Sequence, residues 1–171
     1  QQSEQVQRQA ESKFSEIFEH SPLPMALLDL GQRRIETVNQ AWVNLFAYTK
    51  QQMTTVRADW HPVFWRQASQ LRRFVRELLR QNQVDQFQAE LVRADGSVRI
   101  CLLSARRIQI GEQVRYIITP QDITRVTEAE RNLLELNAEL EDRVASRTRN
   151  LEASNAELAQ ALDSVRIMQD E

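Results

Sequence analysis

From Asp122 to Glu171 the chain contains neither glycine nor proline; all three glycines and all four prolines lie earlier. Apolar residues recur through this stretch at heptad-like spacing, set among charges of both signs. The pattern specifies one long helix whose apolar stripe cannot be buried by the helix itself. Such a helix needs a partner, most simply a second copy of itself. At a rise of 1.5 Å per residue it is about 70 Å long. The compact part of the chain must therefore precede it.

The heptads define two frames. Ile123, Val126, Leu133, Leu140 and Val144 fall on one seam, together with Glu130 and Asn137. Leu151, Asn155, Leu158, Leu162 and Val165 fall on a later one. The step from Leu140 to Leu151 is a heptad plus four residues, a stutter that locally unwinds a left-handed supercoil. Arg143 to Arg149 spans it. Asn137 and Asn155 each occupy an a position of their own frame, which favours two parallel strands in fixed register at some cost in stability. The expected state is a parallel homodimer. A solvated lone helix, or a strap across the head, is the competing reading.

With 171 residues and 42% apolar content, the chain has room for one core domain plus extensions. A net charge of −2 points to neither nucleic acid nor a membrane surface. Cys101 is the one cysteine, so no internal disulfide exists, and a reducing, cytoplasmic setting is expected. No run of about 18 apolar residues is present, and the polar, glutamine-rich start is not a signal peptide. Starting at Gln1 and stopping within a heptad, the sequence reads as part of a longer protein that can carry membrane spans upstream.

The head reads as α+β. Val6, Ala10, Phe14, Ile17 and Phe18 recur at spacings of three and four, giving an amphipathic helix over residues 1–20. Ser21-Pro22-Leu23-Pro24 ends it. Met25 to Leu30 and Arg34 to Val38 are strand candidates separated by Gly31. Asn39 caps a short helix, Gln40 to Tyr48. Thr49 to His61 reads as irregular. Pro62 suits the first turn of a helix reaching Arg80, with Phe64, Ala68, Leu71, Val75 and Leu78 inward and five arginines elsewhere around it. Three strands follow, Phe87 to Arg93, Val98 to Ile110 and Val114 to Thr119. Their turns are Asp95-Gly96 and Gly111-Glu112, and positive φ is expected at each glycine. The predicted fold is a five-stranded antiparallel sheet with helices on one face. It is flanked by the N-terminal helix and the long C-terminal one, giving segments 1–20, 21–124 and 125–171. Consecutive apolar residues at Ile100 to Leu103 and Tyr116 to Ile118 imply that both sheet faces are covered.

The segment from Phe14 to Thr124 resembles a PAS domain, the small sensor fold of bacterial signalling proteins. The resemblance rests on Phe14, Ile17, Phe18, Ser21 and Pro22, on Asp29 and Gly31, and on Asn39 and Ala41. It continues through His61-Pro62, Asp95-Gly96-Ser97 and the Asp122-Ile123-Thr124 signature. The long helix resembles the linker of sensor histidine kinases, through Leu140-Glu141, Arg143-Val144, Arg147-Thr148, Leu151-Glu152, Asn155 and Glu157-Leu158. The resemblance implies a sensory and dimerisation module of a two-component histidine kinase, with kinase domains downstream in the same chain. Two departures stand out: the family often has a glycine where Ala47 stands and another near Thr54, and Met53 to Asp59 fits poorly. A passive dimerisation spacer is one alternative. A PAS sensor serving a cyclic-dinucleotide enzyme or a transcription activator is another.

Catalytic chemistry is not expected in this segment. His20 stands at a helix end and reads as a surface or capping residue. His61, beside Pro62, is a poor haem ligand. The light-sensing branch of the family uses a helix-borne cysteine beside flavin, whereas Cys101 lies mid-strand and reads as an inert buried thiol. Trp42, Phe46, Trp60, Phe64 and Trp65 gather around the cavity that the resemblance implies. They would line a site for non-covalent flavin or a small apolar ligand; plain core packing explains the same residues, and no cofactor is the first expectation. One cysteine and two histidines make no zinc site. The arginines of the long head helix read as a solvated face rather than a nucleic-acid patch. Asp122, Ile123 and Thr124 form the expected signal junction. There Asp122 accepts hydrogen bonds from backbone or an arginine, and Thr124 caps the first helical turn. Thr127 with Glu130 offers a second, later start.

Overall fold

The computed structural model describes residues 2–55 and 64–170. Trp60, His61 and Pro62, named above, lie outside the described residues. The chain forms two compact units, Gln1–Arg125 and Val126–Glu171.

The first unit runs α1 (Gln2–His20), β1 (Ala26–Asp29), β2 (Arg34–Val38), α2 (Gln40–Phe46), α3 (Lys50–Thr55), α4 (Ala68–Gln81), β3 (Gln83–Val92), β4 (Val98–Ile110) and β5 (Gln113–Asp122). α5 (Thr124–Gln169) follows. The strands form one antiparallel sheet in the order β2-β1-β5-β4-β3. The last strand therefore lies beside the first, with Ala26 opposite Ile118.

Alternation along the strands builds the core. Phe87, Ala89 and Leu91 of β3, Cys101, Leu103 and Ala105 of β4, and Tyr116 and Ile118 of β5 are buried on one face. Trp42, Phe46, Phe74 and Leu78 come down on them from α2 and α4. On the other face Ile100, Leu102 and Ile117 are half-buried. The expected cover is thus partial. Phe18 of α1 is buried, while Val6 and Ile17 of the same stripe are 65% and 72% exposed.

Four local details depart from the sequence reading. α4 starts at Ala68. Phe64 and Trp65 precede it in a stretch that pairs with the edge of β3, where Val92 donates to the Phe64 carbonyl (2.8 Å) and Arg66 to that of Glu90 (3.0 Å). The open backbone groups of that edge supply the reason. Phe74, which the spacing passed over, is the one aromatic of α4 and is buried; Leu71 and Val75 are only half-buried. Residues 50–55 are helical, opened by a reciprocal capping box in which the Gln52 amide donates to Thr49 Oγ1 (3.1 Å) and the Thr49 amide to Gln52 Oε1 (2.9 Å). Positive φ falls on Gly96 (83°) and Gly111 (60°) as expected, but at the first hairpin it falls on Arg33 (50°) rather than Gly31.

Ala47 explains one family departure. It closes α2 in the left-handed region at φ 62°, its N–H bonded to the Val43 carbonyl at 2.8 Å. That conformation favours glycine, because a Cβ crowds the backbone there.

The second unit is one uninterrupted helix. Its large apolar side chains are bare, from 49% exposed at Val165 to 70% at Leu134. Among the described residues no helix is long and apolar enough to cross a membrane.

Candidate functional site

The end of β5 carries a polar cluster at its junction with α5. Asp122 Oδ1 accepts from the Thr124 amide (3.0 Å) and from the Thr124 hydroxyl (2.6 Å). The same hydroxyl accepts from the Ile100 amide (2.9 Å), and the Ile100 carbonyl accepts from the Ile123 amide (2.8 Å). Both backbone groups of one β4 residue are therefore spent on holding residues 123–124. Asp122 Oδ2 stands 3.9 Å from the Arg99 guanidinium, and Arg99 Nε is buried without a hydrogen-bond acceptor.

This arrangement divides the expected roles differently. Asp122 caps the start of α5. The Thr124 hydroxyl turns to β4 and away from its own helix, because the Ile100 N–H at the strand end otherwise lacks a partner. α5 is already helical at Thr124, so Thr127 and Glu130 lie inside it and do not form its start. Arg99 and Ile100 were not legible as junction residues: a backbone amide leaves no mark in a sequence.

Cys101 stands opposite Asp122 in the β4–β5 pairing. It is fully buried, and burial, reinforced by the Asp122 charge and opposed by Arg99, pushes its thiol up to about 12. A neutral, enclosed strand thiol does not match the helix-borne reactive cysteine of the light-sensing branch.

The aromatic residues expected around a cavity are brought together in part. Trp42, Phe46 and Phe64 form one ring cluster, with centroids 4.8 Å (Trp42–Phe46), 5.5 Å (Trp42–Phe64) and 4.8 Å (Phe46–Phe64) apart. Trp65 belongs to another, against Phe74 at 5.5 Å, and Phe74 in turn meets Phe87 at 5.4 Å. The indole Nε1 atoms of Trp42 and Trp65 are buried with no acceptor. Buried donors of this kind cost roughly 1–3 kcal/mol each when unpaired.

Asn39 is the residue whose importance exceeds its sequence signal. Its position marked it as the cap of α2, and its Oδ1 accepts from the Trp42 amide (3.1 Å). It also accepts from the Met25 amide (2.9 Å) and donates from Nδ2 to the carbonyls of Phe18 (3.0 Å) and Leu23 (2.8 Å). Every bonding capacity of the side chain is used, and the last turn of α1 is tied to the core. The Lys50–Glu19 ion pair ties the same end of α1 to α3.

Three features stand around these. Arg115, buried, pairs with Glu36 and lies 3.5 Å from Asp29. A groove of about 480 Å³ is lined by Leu23, Pro24, Leu102, Pro120 and Asp122 among others. On α4, Arg73 lies over the Phe87 ring at 4.7 Å, and Arg72, Arg76 and Arg80 are exposed. No group of three His, Cys, Asp or Glu that could hold a metal occurs among the described residues.

In the second unit the expected seam residues Val126, Leu133, Asn137, Leu140, Val144, Leu151, Asn155, Leu158, Leu162 and Val165 are all exposed on the one helix.

The family model described as PAS domain matches residues 22–125. No curated protein matches the chain. Among solved structures, an RNA-binding Light-Oxygen-Voltage receptor is 14% identical with a TM-score of 0.61; the match covers 75% of this chain and 38% of that one. The chain thus spans well under half of that receptor's length. The PAS domain of an HTR-like protein from Haloarcula marismortui is 21% identical, with a TM-score of 0.54, and 71% and 98% of the two chains are covered. A PAS domain from a two-component sensor histidine kinase is 13% identical, with a TM-score of 0.55 and coverage of 67% and 98%. At these identities the likeness is one of fold.

Proposed function

This chain belongs to the PAS domain family, and from that premise we propose that it is the sensory and dimerisation module of a bacterial two-component sensor histidine kinase. In this reading two copies pair through α5 in parallel, within the cytoplasm, and kinase domains follow in the same chain. The module itself does no chemistry. It touches neither nucleic acid nor membrane, and phosphotransfer belongs to the domains downstream.

The observation that carries the reading is the Asp122–Thr124–Ile100 cluster. It makes the first residues of a long, bare-seamed helix part of the sheet's own hydrogen bonding. A change in the core that alters β4 or β5 cannot leave the start of α5 untouched. The signal is a shift between populations, and a differential of a few kcal/mol suffices.

The deciding experiment replaces Asp122 by Ala in the whole protein. Output should lose its dependence on input while the dimer persists. Regulation that survives unchanged defeats the reading. The passive-spacer alternative draws support from the interlocked rings of Trp42, Phe46 and Phe64. The two indole N–H groups without acceptors favour sensing, with a small acceptor-bearing or non-covalently held ligand as the occupant. Native mass spectrometry of the purified chain separates the two, since it reports subunit number and retained ligand together.

A further inference from the structure

α4 turns one face to the core and the opposite face to solvent. Phe74 and Leu78 are buried, with Leu71 and Val75 half-buried beside them. At about 100° per residue these four share one side of the helix. Arg72, Arg73, Arg76 and Arg80 fall within an arc of about 100° on the other. All four arginines are exposed, and Leu79 stands at the edge of the arc, 56% exposed. Arg72, Arg76 and Arg80 recur every fourth residue, so the charges step along the axis by about 6 Å.

Within the chain this charge is left unanswered. Arg66, Arg93, Arg99, Arg106 and Arg115 of the same unit each stand within 4.0 Å of a carboxylate. Among the described residues none of the four on α4 has an acidic partner; Arg73 rests over the Phe87 ring at 4.7 Å. A hollow of about 370 Å³ is lined by Arg73, Arg76, Glu77, Arg80 and Gln81. Four arginines against Glu77 give α4 a charge of +3, on a chain whose net charge is −2.

We propose that this face docks an acidic helical segment of a partner protein, its carboxylates one turn apart and set beside an apolar residue. The proposal stands apart from the signalling reading. A guanidinium pairs with a carboxylate through two parallel hydrogen bonds. A helix lying alongside α4 presents one carboxylate per turn to Arg72, Arg76 and Arg80 in succession, while Leu79 supplies apolar contact area. Other polyanions fit less well. Nucleic acid and anionic membranes answer to the field of the whole chain, which is net negative. Glu77 in the wall of the hollow also repels densely charged phosphate, whereas a polypeptide can turn an amide N–H to it.

The test is fluorescence anisotropy with the full 171-residue chain and two labelled helical peptides of identical composition. One carries glutamate at every fourth residue along one face, flanked by leucine; the other spreads the same glutamates around the helix. The striped peptide should bind at least about fivefold more tightly, and raising NaCl from about 50 mM to about 0.5 M should weaken it several-fold. Arg76→Glu with Arg80→Glu should abolish the preference, and the neutral pair Arg76→Gln with Arg80→Gln, which guards against misfolding of the reversed one, should remove most of it. Leu79→Ser should weaken the striped peptide several-fold. Arg107→Glu, an exposed arginine of β4, should change nothing. Equal binding of the two peptides, or a preference that survives both arginine pairs, overturns the docking face. A single-stranded oligonucleotide or phosphatidylglycerol vesicles binding more tightly than the striped peptide overturns the acidic protein as its occupant.

Discussion

The side-chain amide of Asn39 donates a hydrogen bond to the carbonyl of Phe18, 3.0 Å away and 21 residues earlier. That bond joins the last turn of α1 to the start of α2 through a residue with no exposed surface. The head is thereby gripped at both ends: α1 through Asn39, and the start of α5 through Ile100 and Asp122.

Asn39→Ala should destabilise the head by about 3 kcal/mol, combining the loss of a helix cap with two buried carbonyls and an amide left without partners. Urea unfolding measures the loss. Hydrogen exchange should rise first in the last turn of α1 and in residues 21–25. A loss confined to α2 would mean that Asn39 acts as a cap alone.

Ala47→Gly should stabilise the head by about 1 kcal/mol. Ala47 holds φ 62° at the end of α2, a conformation in which a Cβ is strained and glycine is not. The melting temperature should rise accordingly, and a fall would mean that the Ala47 side chain contributes packing larger than the strain.

Arg115→Met should cost about 3–5 kcal/mol, because Asp29 and Glu36 would remain part-buried beside an apolar side chain. Adding Asp29→Asn to the variant should recover part of the loss. A double-mutant cycle in urea that shows no coupling would contradict the buried pairing.

Cys101 predicts a pH dependence of stability. Burial pushes its folded thiol up to about 12, above the unfolded value near 9. The folded state therefore keeps a proton that the unfolded state gives up as pH rises past 9. The contribution is complete below about pH 9 and declines by roughly 1.4 kcal/mol per pH unit between the two values. Unfolding curves from pH 8 to 10.5 should show the decline in the native chain and a shallower one in Cys101→Ala. Identical slopes would mean that the thiol is not enclosed in solution.

Much of the fold was legible before any coordinates. β2 and β4 occupy the spans that alternation and turn residues marked, and the 3.6-residue period located α1. The start of α4 was misread because Pro62 is a sound helix opener locally, whereas the open edge of β3 decides what residues 64–66 do. The helix 50–55 was missed although Thr49 and Gln52 spell its capping box. Phe74 was passed over because Leu71, Val75 and Leu78 already complete an apolar period, and a period does not say which of two neighbouring stripes faces the core. The ring cluster was legible as a composition, but its division between Phe64 and Trp65 depended on the extended backbone that turns consecutive side chains apart.

The sequence by itself determined the periods: an alternating sheet, amphipathic head helices, and a rod whose apolar stripe demands a partner. These follow from side-chain spacing, which local backbone geometry converts directly into faces. Only the tertiary structure decided which groups meet across long separations. Ile100 holds Thr124 because β4 lies beside β5, Arg115 of β5 reaches Glu36 of β2 across β1 because the sheet runs β2-β1-β5, and Asn39 at the end of β2 holds Phe18 of α1. Hydrogen bonds to backbone and pairs between distant strands depend on that adjacency, and no period along the chain encodes it.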